Sequence, residues 1–243
     1  MNNLKNLNIK IFADGANLDG IKELNKQDYI SGFTTNPSLM KKVGVSDYKD
    51  FSQNLLKLIT DKPISLEVFT DEIDLMEEQA REISSWGKNV YVKIPITNSK
   101  GKSTIDLIKR LINDNIKCNI TAVLTFNQVK EILKVANDKT EMIISIFAGR
   151  IADTGINPIN IMKDSVGMCK EKKNIKILWA STREVLNIFE ANRINCHIIT
   201  VPHEILKKFK NIGKDLTEVS LETVKSFYSD AKEAGFQIKI NKS

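Results

Sequence analysis

Eight short apolar runs, separated by amphipathic stretches, leave this chain few folds to choose from. The runs are Leu7 to Ala13, Gly32 to Thr34, Ile64 to Phe69, Val90 to Ile94, Lys117 to Thr121, Met142 to Phe147, Ile175 to Ala180 and Cys196 to Val201. Their starts lie roughly 20 to 35 residues apart, room for a strand and a crossover helix. Between them Ile73, Met76, Ala80 and Ile83 recur at helical spacing. So do Ile105, Ile108, Leu111 and Ile112, then Val129, Ile132, Leu133 and Ala136. Thr125-Phe-Asn-Gln128 carries a capping-box pattern that opens one helix, and Ser181-Thr-Arg-Glu184 one that opens another. The runs are apolar on both faces, as in a parallel sheet covered by helices, and polar residues gather at their C-terminal ends. No linker interrupts them. The expected fold is α/β: a single-domain TIM (β/α)8 barrel over residues 1–243. Residues 217–235 read as an additional helix with Val219, Val224, Phe227, Tyr228 and Ala231 as apolar positions. Two roles stay open for it, capping the barrel or reaching a neighbouring subunit.

Composition removes several function classes. Lys+Arg exceed Asp+Glu by 36 to 30, but the lysines are spread along helix faces without a dense basic run. That argues for a solvated surface and against nucleic acid as a partner, while a mild positive field suits a phosphorylated small substrate. Three cysteines, Cys118, Cys169 and Cys196, show no CxxC spacing. A reducing compartment, the cytoplasm, is expected, and neither a disulfide framework nor a zinc site. Two histidines leave little for a Ser-His-Asp or histidine-rich metal site. No run approaches membrane-spanning length, and Met1 to Asn6 has no hydrophobic signal core.

One of the runs carries a charge in its middle. Val90-Tyr-Val-Lys93-Ile-Pro95 is strand-like, and Lys93 stands just before the proline that ends it. A buried ammonium is costly unless it is paired or neutral, and a neutral amine can add to a carbonyl to give a Schiff base. The plain alternative is an edge strand with Lys93 snorkelling to solvent. In a barrel of this type the active site lies at the C-terminal strand ends. The polar residues there are Asp14, then Thr34, Thr35 and Asn36, then Glu67, Lys93, Asn119, Thr121, Ser145, Arg150, Ser181 and Arg183. Singly, each has a structural explanation: Asp14 and Ser181 as caps, Asn36-Pro37 as a turn, Glu67 as a partner for Lys93, Arg150 in a surface ion pair. Together they supply an amine, two carboxylates, hydroxyls, amides and two guanidiniums around one mouth, an inventory suited to carbonyl chemistry on a polyhydroxylated, phosphorylated substrate.

These segments resemble the transaldolase family, the class I group that includes transaldolases and fructose-6-phosphate aldolases. The matching stretches are Phe12-Ala-Asp14-Gly-Ala-Asn17, Gly32-Phe-Thr-Thr-Asn-Pro-Ser-Leu39, Val92-Lys93-Ile94-Pro95, Cys118-Asn119-Ile-Thr121, Ile144-Ser145-Ile-Phe147-Ala-Gly-Arg150 and Ala180-Ser181-Thr-Arg183, in family order from Phe12 to Phe209. The resemblance implies Lys93 as the Schiff-base lysine and Asp14 as the general acid/base. It implies Glu67 and Thr121 as the pair that positions a catalytic water. It implies Asn36, Asn119 and Ser145 as ligands of the dihydroxyacetone hydroxyls, with Thr35 and Phe147 in the same substrate-binding set. Arg150, Ser181 and Arg183 match the phosphate clamp, expected at the N-terminus of the helix after strand seven.

Glu67 and Phe147 stand where transaldolases have glutamate and phenylalanine and the aldolases have glutamine and tyrosine, so the resemblance favours transfer of a three-carbon unit over its release. The implied partners are sugar phosphates and a second copy of the chain in a homo-oligomer, with no cofactor, metal, nucleic acid or membrane. Readings that remain beside it are fructose-6-phosphate cleavage, a specialised transaldolase on another anionic ketose, and a binding barrel without turnover. Three departures from the family pattern are expected near the mouth: Gly15 for threonine, Ser145-Ile-Phe-Ala-Gly-Arg150 for Ser-Pro-Phe-Val-Gly-Arg, and Trp179 for a small residue.

Overall fold

The apolar runs become eight strands, and every neighbouring pair is parallel. The computed structural model describes residues 7–238. Its order is β1 (Lys10–Asp14), α1 (Leu18–Asn25), β2 (Ile30–Thr34), α2 (Pro37–Lys42), α3 (Tyr48–Leu58), β3 (Ile64–Glu67), α4 (Ile73–Ser85), β4 (Val90–Pro95), α5 (Ile105–Asn113) and β5 (Cys118–Val123). Then come α6 (Phe126–Val135), β6 (Met142–Ile146), α7 (Ala148–Ala152), α8 (Ile159–Met168), β7 (Ile175–Trp179), α9 (Leu186–Arg193), β8 (Ile198–Pro202), α10 (His203–Leu206), a 3-10 turn (Lys207–Asn211) and α11 (Leu216–Glu233). The sheet closes, β8 pairing with β1, so the molecule is a (β/α)8 barrel. The expectation about the N-terminal six residues lies outside the described residues.

Strand ends move by a few residues for identifiable reasons. β1 starts at Lys10 rather than Leu7 because the backbone N–H groups of Asn8 and Ile9 donate to Asn192 Oδ1 instead of to a strand. β3 stops at Glu67 because the N–H groups of Phe69 and Thr70 turn to Gln79 Oε1 on α4. β5 runs on through a left-handed residue, Ala122 (φ 58°), where its register with β6 slips. The capping box at Thr125 forms as expected. The one expected at Ser181 does not. Ser181 is left-handed (φ 62°), α9 begins only at Leu186, and Asn187 Oδ1 takes the N–H groups of Arg183 and Glu184.

Outward-facing strand residues and the helices form the main apolar shell, and Phe12, Ile143, Leu178, Ala180 and Ile198 fill the barrel interior. Phe12 fits there because Gly32 on the next strand lacks a side chain: a Cβ at that position would stand 2.6 Å from the ring. α11 stays apart. None of its residues is buried, and Phe227 and Tyr228 are 67% and 72% exposed, so it does not cap the barrel.

Gly149, in α7, lies against the loop after β7. A Cβ on it would meet the Ser181 carbonyl oxygen at 1.7 Å, so backbone has to move to admit any side chain. Gly149→Ala is expected to lower stability by about 1–3 kcal/mol, a Tm loss of at least about 2–4 °C for a chain this size. An unchanged melting curve would contradict the tight approach of α7 to that loop.

Candidate active site

Strand register gathers the charged residues. Glu67 on β3 stands beside Lys93 on β4, and Lys93 beside Asn119 on β5. Asp14, at the end of β1, stands beside Thr34 on one side and Pro202 on the other. All of them line one cavity of about 510 Å³ at the C-terminal mouth of the barrel. A second cavity, about 370 Å³, opens at the opposite end beside Lys10, Tyr91, Glu141 and Lys176, and shares none of these residues.

Lys93 does not snorkel. It is 7% exposed, and its Nζ donates to Glu67 Oε2 at 2.9 Å and to the Thr35 carbonyl at 2.8 Å. The buried ammonium is therefore paired, which is the condition for leaving it there. Asp14 has a different environment. It accepts a hydrogen bond from Thr34 Oγ1 at 2.8 Å. Burial raises its carboxyl above the ordinary 3.8, an effect larger than the opposing pull of the Lys93 charge and the Thr34 bond. Two carboxylates thus flank one amine, one ion-paired and one pushed toward its neutral form, a division that suits acid/base work by Asp14.

The neutral polar residues are tied to one another. Asn119 is fully buried; its Nδ2 donates to Ser65 Oγ at 2.9 Å and its Oδ1 accepts from Ser145 Oγ at 2.6 Å. Thr121 Oγ1 is buried on the cavity wall with no partner among the described residues, so a ligand or water oxygen would relieve it. Asn36 caps α2, its Oδ1 accepting from Leu39 N–H at 3.0 Å, and its amide nitrogen remains available to the cavity it lines. Thr35 departs from expectation. Its side chain is fully buried outside the cavity and donates to the Ser65 carbonyl, so its tie to the site is the backbone carbonyl that holds Lys93.

The mouth's rim is cationic. Arg150 and Arg183 are exposed, and the Arg150 guanidinium lies over the Phe147 ring, 5.7 Å from its centre. Arg183 is forked onto the Asp153 carboxylate through Nε and a terminal nitrogen. It sits in the loop after β7, not in the first turn of α9, because that helix starts three residues later. Ser181 lines the rim beside both arginines.

Of the departures, only Gly15 adjoins the site. Its missing Cβ would fall 2.6 Å from His203 Nε2, so the imidazole occupies the space a larger residue would need. Ile146, Ala148 and Trp179 pack into the outer apolar shell and do not line the mouth, which corrects the expectation that they lie near it. Sequence reading missed a hydroxyl chain. Thr34 Oγ1 lies 2.5 Å from Thr200 Oγ1, and with the Thr34 proton committed to Asp14, Thr200 is the donor. Thr200 was findable: it is the polar residue near the end of the β8 run. Lys42, which also lines the mouth and faces Glu204 at 3.5 Å, carries no such signal.

The model of the transaldolase/fructose-6-phosphate aldolase family matches residues 11–242. The chain belongs to that family. It is 33% identical to a probable transaldolase of Thermoanaerobacter sp. (strain X514), over 95% of this chain and all of that protein. It is 34% identical to one of Roseiflexus sp. (strain RS-1), over 88% of this chain and 94% of that one. It is 32% identical to one of Nitrosopumilus maritimus (strain SCM1), over 96% and 100%. In fold it is similar to KGPDC from Streptococcus mutans, with TM-score 0.55 and 12% identity over 82% of this chain and 90% of that one. Among the described residues of this family member, no helix is long and apolar enough to cross a membrane.

Asp14 gives a pH signature. An acid whose folded pKa is raised stabilises fully below its unfolded value of 3.8 and loses that contribution as pH rises through the folded value. Asn stands in for the protonated form at every pH. Asp14→Asn is therefore expected to raise Tm near pH 8, with the gain shrinking toward zero as pH falls to about 3.8. A gain that is absent at pH 8 or grows on acidification would contradict the assigned environment.

Proposed function

We propose that this protein is a transaldolase that moves a dihydroxyacetone unit from a ketose phosphate, sedoheptulose 7-phosphate or fructose 6-phosphate, to an aldose phosphate. The observation that carries the reading is the buried Lys93 amine paired with Glu67, with Asp14 in the same cavity. Lys93 passes a proton to Glu67, and the free amine adds to the C2 carbonyl to form a carbinolamine. Its hydroxyl leaves as water with that proton returned from Glu67, Thr121 helping to place the water, which gives the protonated imine. Asp14 takes the C4 hydroxyl proton, the C3–C4 bond breaks, and its electrons pass into the protonated imine to leave a neutral enamine on Lys93 and a free aldose phosphate. An incoming aldehyde then accepts the enamine carbon, Asp14 returns the proton, and water releases the new ketose.

The remaining assignments follow position. Asn36, Asn119 and Ser145 receive the hydroxyls of the three-carbon unit, with Phe147 at its side. Arg150, Ser181 and Arg183 receive the phosphate, Arg183 exchanging the Asp153 carboxylate for it. The protein acts on small sugar phosphates in the cytoplasm, in carbohydrate metabolism. Its exposed α11, with five large apolar residues from Leu216 to Tyr228 in solvent, supports a homo-oligomer. The second reading, cleavage of fructose 6-phosphate without transfer, is disfavoured by Glu67 and Phe147.

Two comparisons decide. The wild type is expected to consume fructose 6-phosphate with erythrose 4-phosphate present and to release little free dihydroxyacetone without it. Lys93→Met, assayed at temperatures where circular dichroism shows it folded, is expected to lose turnover by roughly a thousandfold or more. Turnover retained by the Met variant would overturn the mechanism, and equal cleavage without the acceptor would move the protein to the aldolase reading.

A further inference from the structure

The end of β3 is held on one side only. β3 pairs with β4 along its whole length, out to Glu67 beside Lys93. Its pairing with β2 covers Ile64 and Ser65 alone, and the last backbone bond on that side runs from Thr35 N–H to the Ser65 carbonyl. β2 then turns away into the Asn36 cap of α2. In a parallel ladder the N–H and C=O of one residue face the same neighbour, so those of Glu67 point into the gap that β2 has left. Unpaired there, they would be costly and the strand end would be free to shift.

One side-chain atom fills the gap. Tyr48, the first residue of α3, places its hydroxyl so that it accepts from Glu67 N–H at 2.7 Å and donates to the Glu67 carbonyl at 2.9 Å. The ring is itself seated: Phe69 meets it edge-on at 4.9 Å, and Trp86 lies 6.0 Å away. Asp47 caps α3 immediately before it and fixes the entry of the helix. Burial holds the phenol above its usual range, so it keeps the proton that lets one oxygen donate and accept at once. The hydroxyl lies outside the mouth cavity and cannot touch substrate.

We propose that Tyr48 is a positioning residue for the Lys93–Glu67 pair, closing both backbone valences of Glu67 and so aiming its carboxylate at the Lys93 amine. The proposal rests on the Schiff-base reading, which gives that carboxylate its work. Phenylalanine would keep the ring and leave two backbone groups unmet. Displacement of a catalytic group by a fraction of an ångström to an ångström costs roughly ten- to a hundredfold in rate.

The test is a double-mutant cycle on imine formation. Wild type, Tyr48→Phe, Glu67→Gln and the double variant are mixed with fructose 6-phosphate, quenched over time with borohydride, and the Lys93 adduct is followed by mass. Temperatures are kept where circular dichroism shows all four folded. Tyr48→Phe is expected to slow adduct formation about tenfold in the native background, with KM for the donor within about twofold, and by less than about twofold when Glu67 is already Gln. Phe69→Leu, which trims an exposed contact of the ring and leaves the hydroxyl on Glu67, is expected to keep the adduct rate within about twofold of wild type. The proposal is overturned by an unchanged rate in Tyr48→Phe, by equal losses in both Glu67 backgrounds, or by a Phe69→Leu loss as large as that of Tyr48→Phe. No adduct on the wild type would instead remove the Schiff-base reading beneath it.

Discussion

A buried ammonium needs a counter-charge, and this barrel is arranged so that Lys93 has one. Its partner comes from the neighbouring strand, in register, at 2.9 Å. The second acceptor is the Thr35 carbonyl, supplied because β2 has turned toward α2 at that height. Removing either charge from such a pair leaves the other stranded in low dielectric, a loss of about 3–5 kcal/mol in comparable cases. The pair therefore constrains the strand ends around it as much as they constrain the pair. It also keeps the amine out of bulk water, where a ligand can reach it only by entering the mouth.

Around that contact the polar groups fall into separate circuits. Ser145, Asn119 and Ser65 form one buried chain, and Thr200, Thr34 and Asp14 another. The first neutralises amide and hydroxyl dipoles that would otherwise be costly in the barrel interior. The second ends on a carboxyl that burial pushes up. The two carboxylates of one cavity thus have different partners, the Lys93 amine for Glu67 and a hydroxyl chain for Asp14. The cationic rim is built on looser material. Arg150 stacks on Phe147 and Arg183 reaches Asp153, both near solvent, where guanidiniums can change partner at little cost.

Much of this was legible in the residues. Strand runs are readable because a parallel sheet is apolar on both faces, and that left Asp14, Glu67, Lys93 and Thr121 conspicuous at the ends of such runs. The capping box at Thr125 was readable because its bonds are local. The segment after β7 was not. Ser181 has the same capping letters, but the close approach of Gly149 to its carbonyl holds that loop in a left-handed turn, a tertiary constraint without a local signature. Thr35 stands in sequence between two residues that line the mouth, Thr34 and Asn36. Strand alternation points its hydroxyl away from the mouth and leaves only its carbonyl there. Tyr48 was invisible for the opposite reason: it acts from a helix, through the backbone of another residue.

The most direct measurement is a crystal structure of the protein soaked with fructose 6-phosphate. Continuous density is expected from Lys93 Nζ to the ketose C2, with Asp14 beside the C4 oxygen and the phosphate between Arg150 and Arg183. A ketose bound without a bond to Lys93, or seated away from the β1, β3 and β4 strand ends, would contradict it.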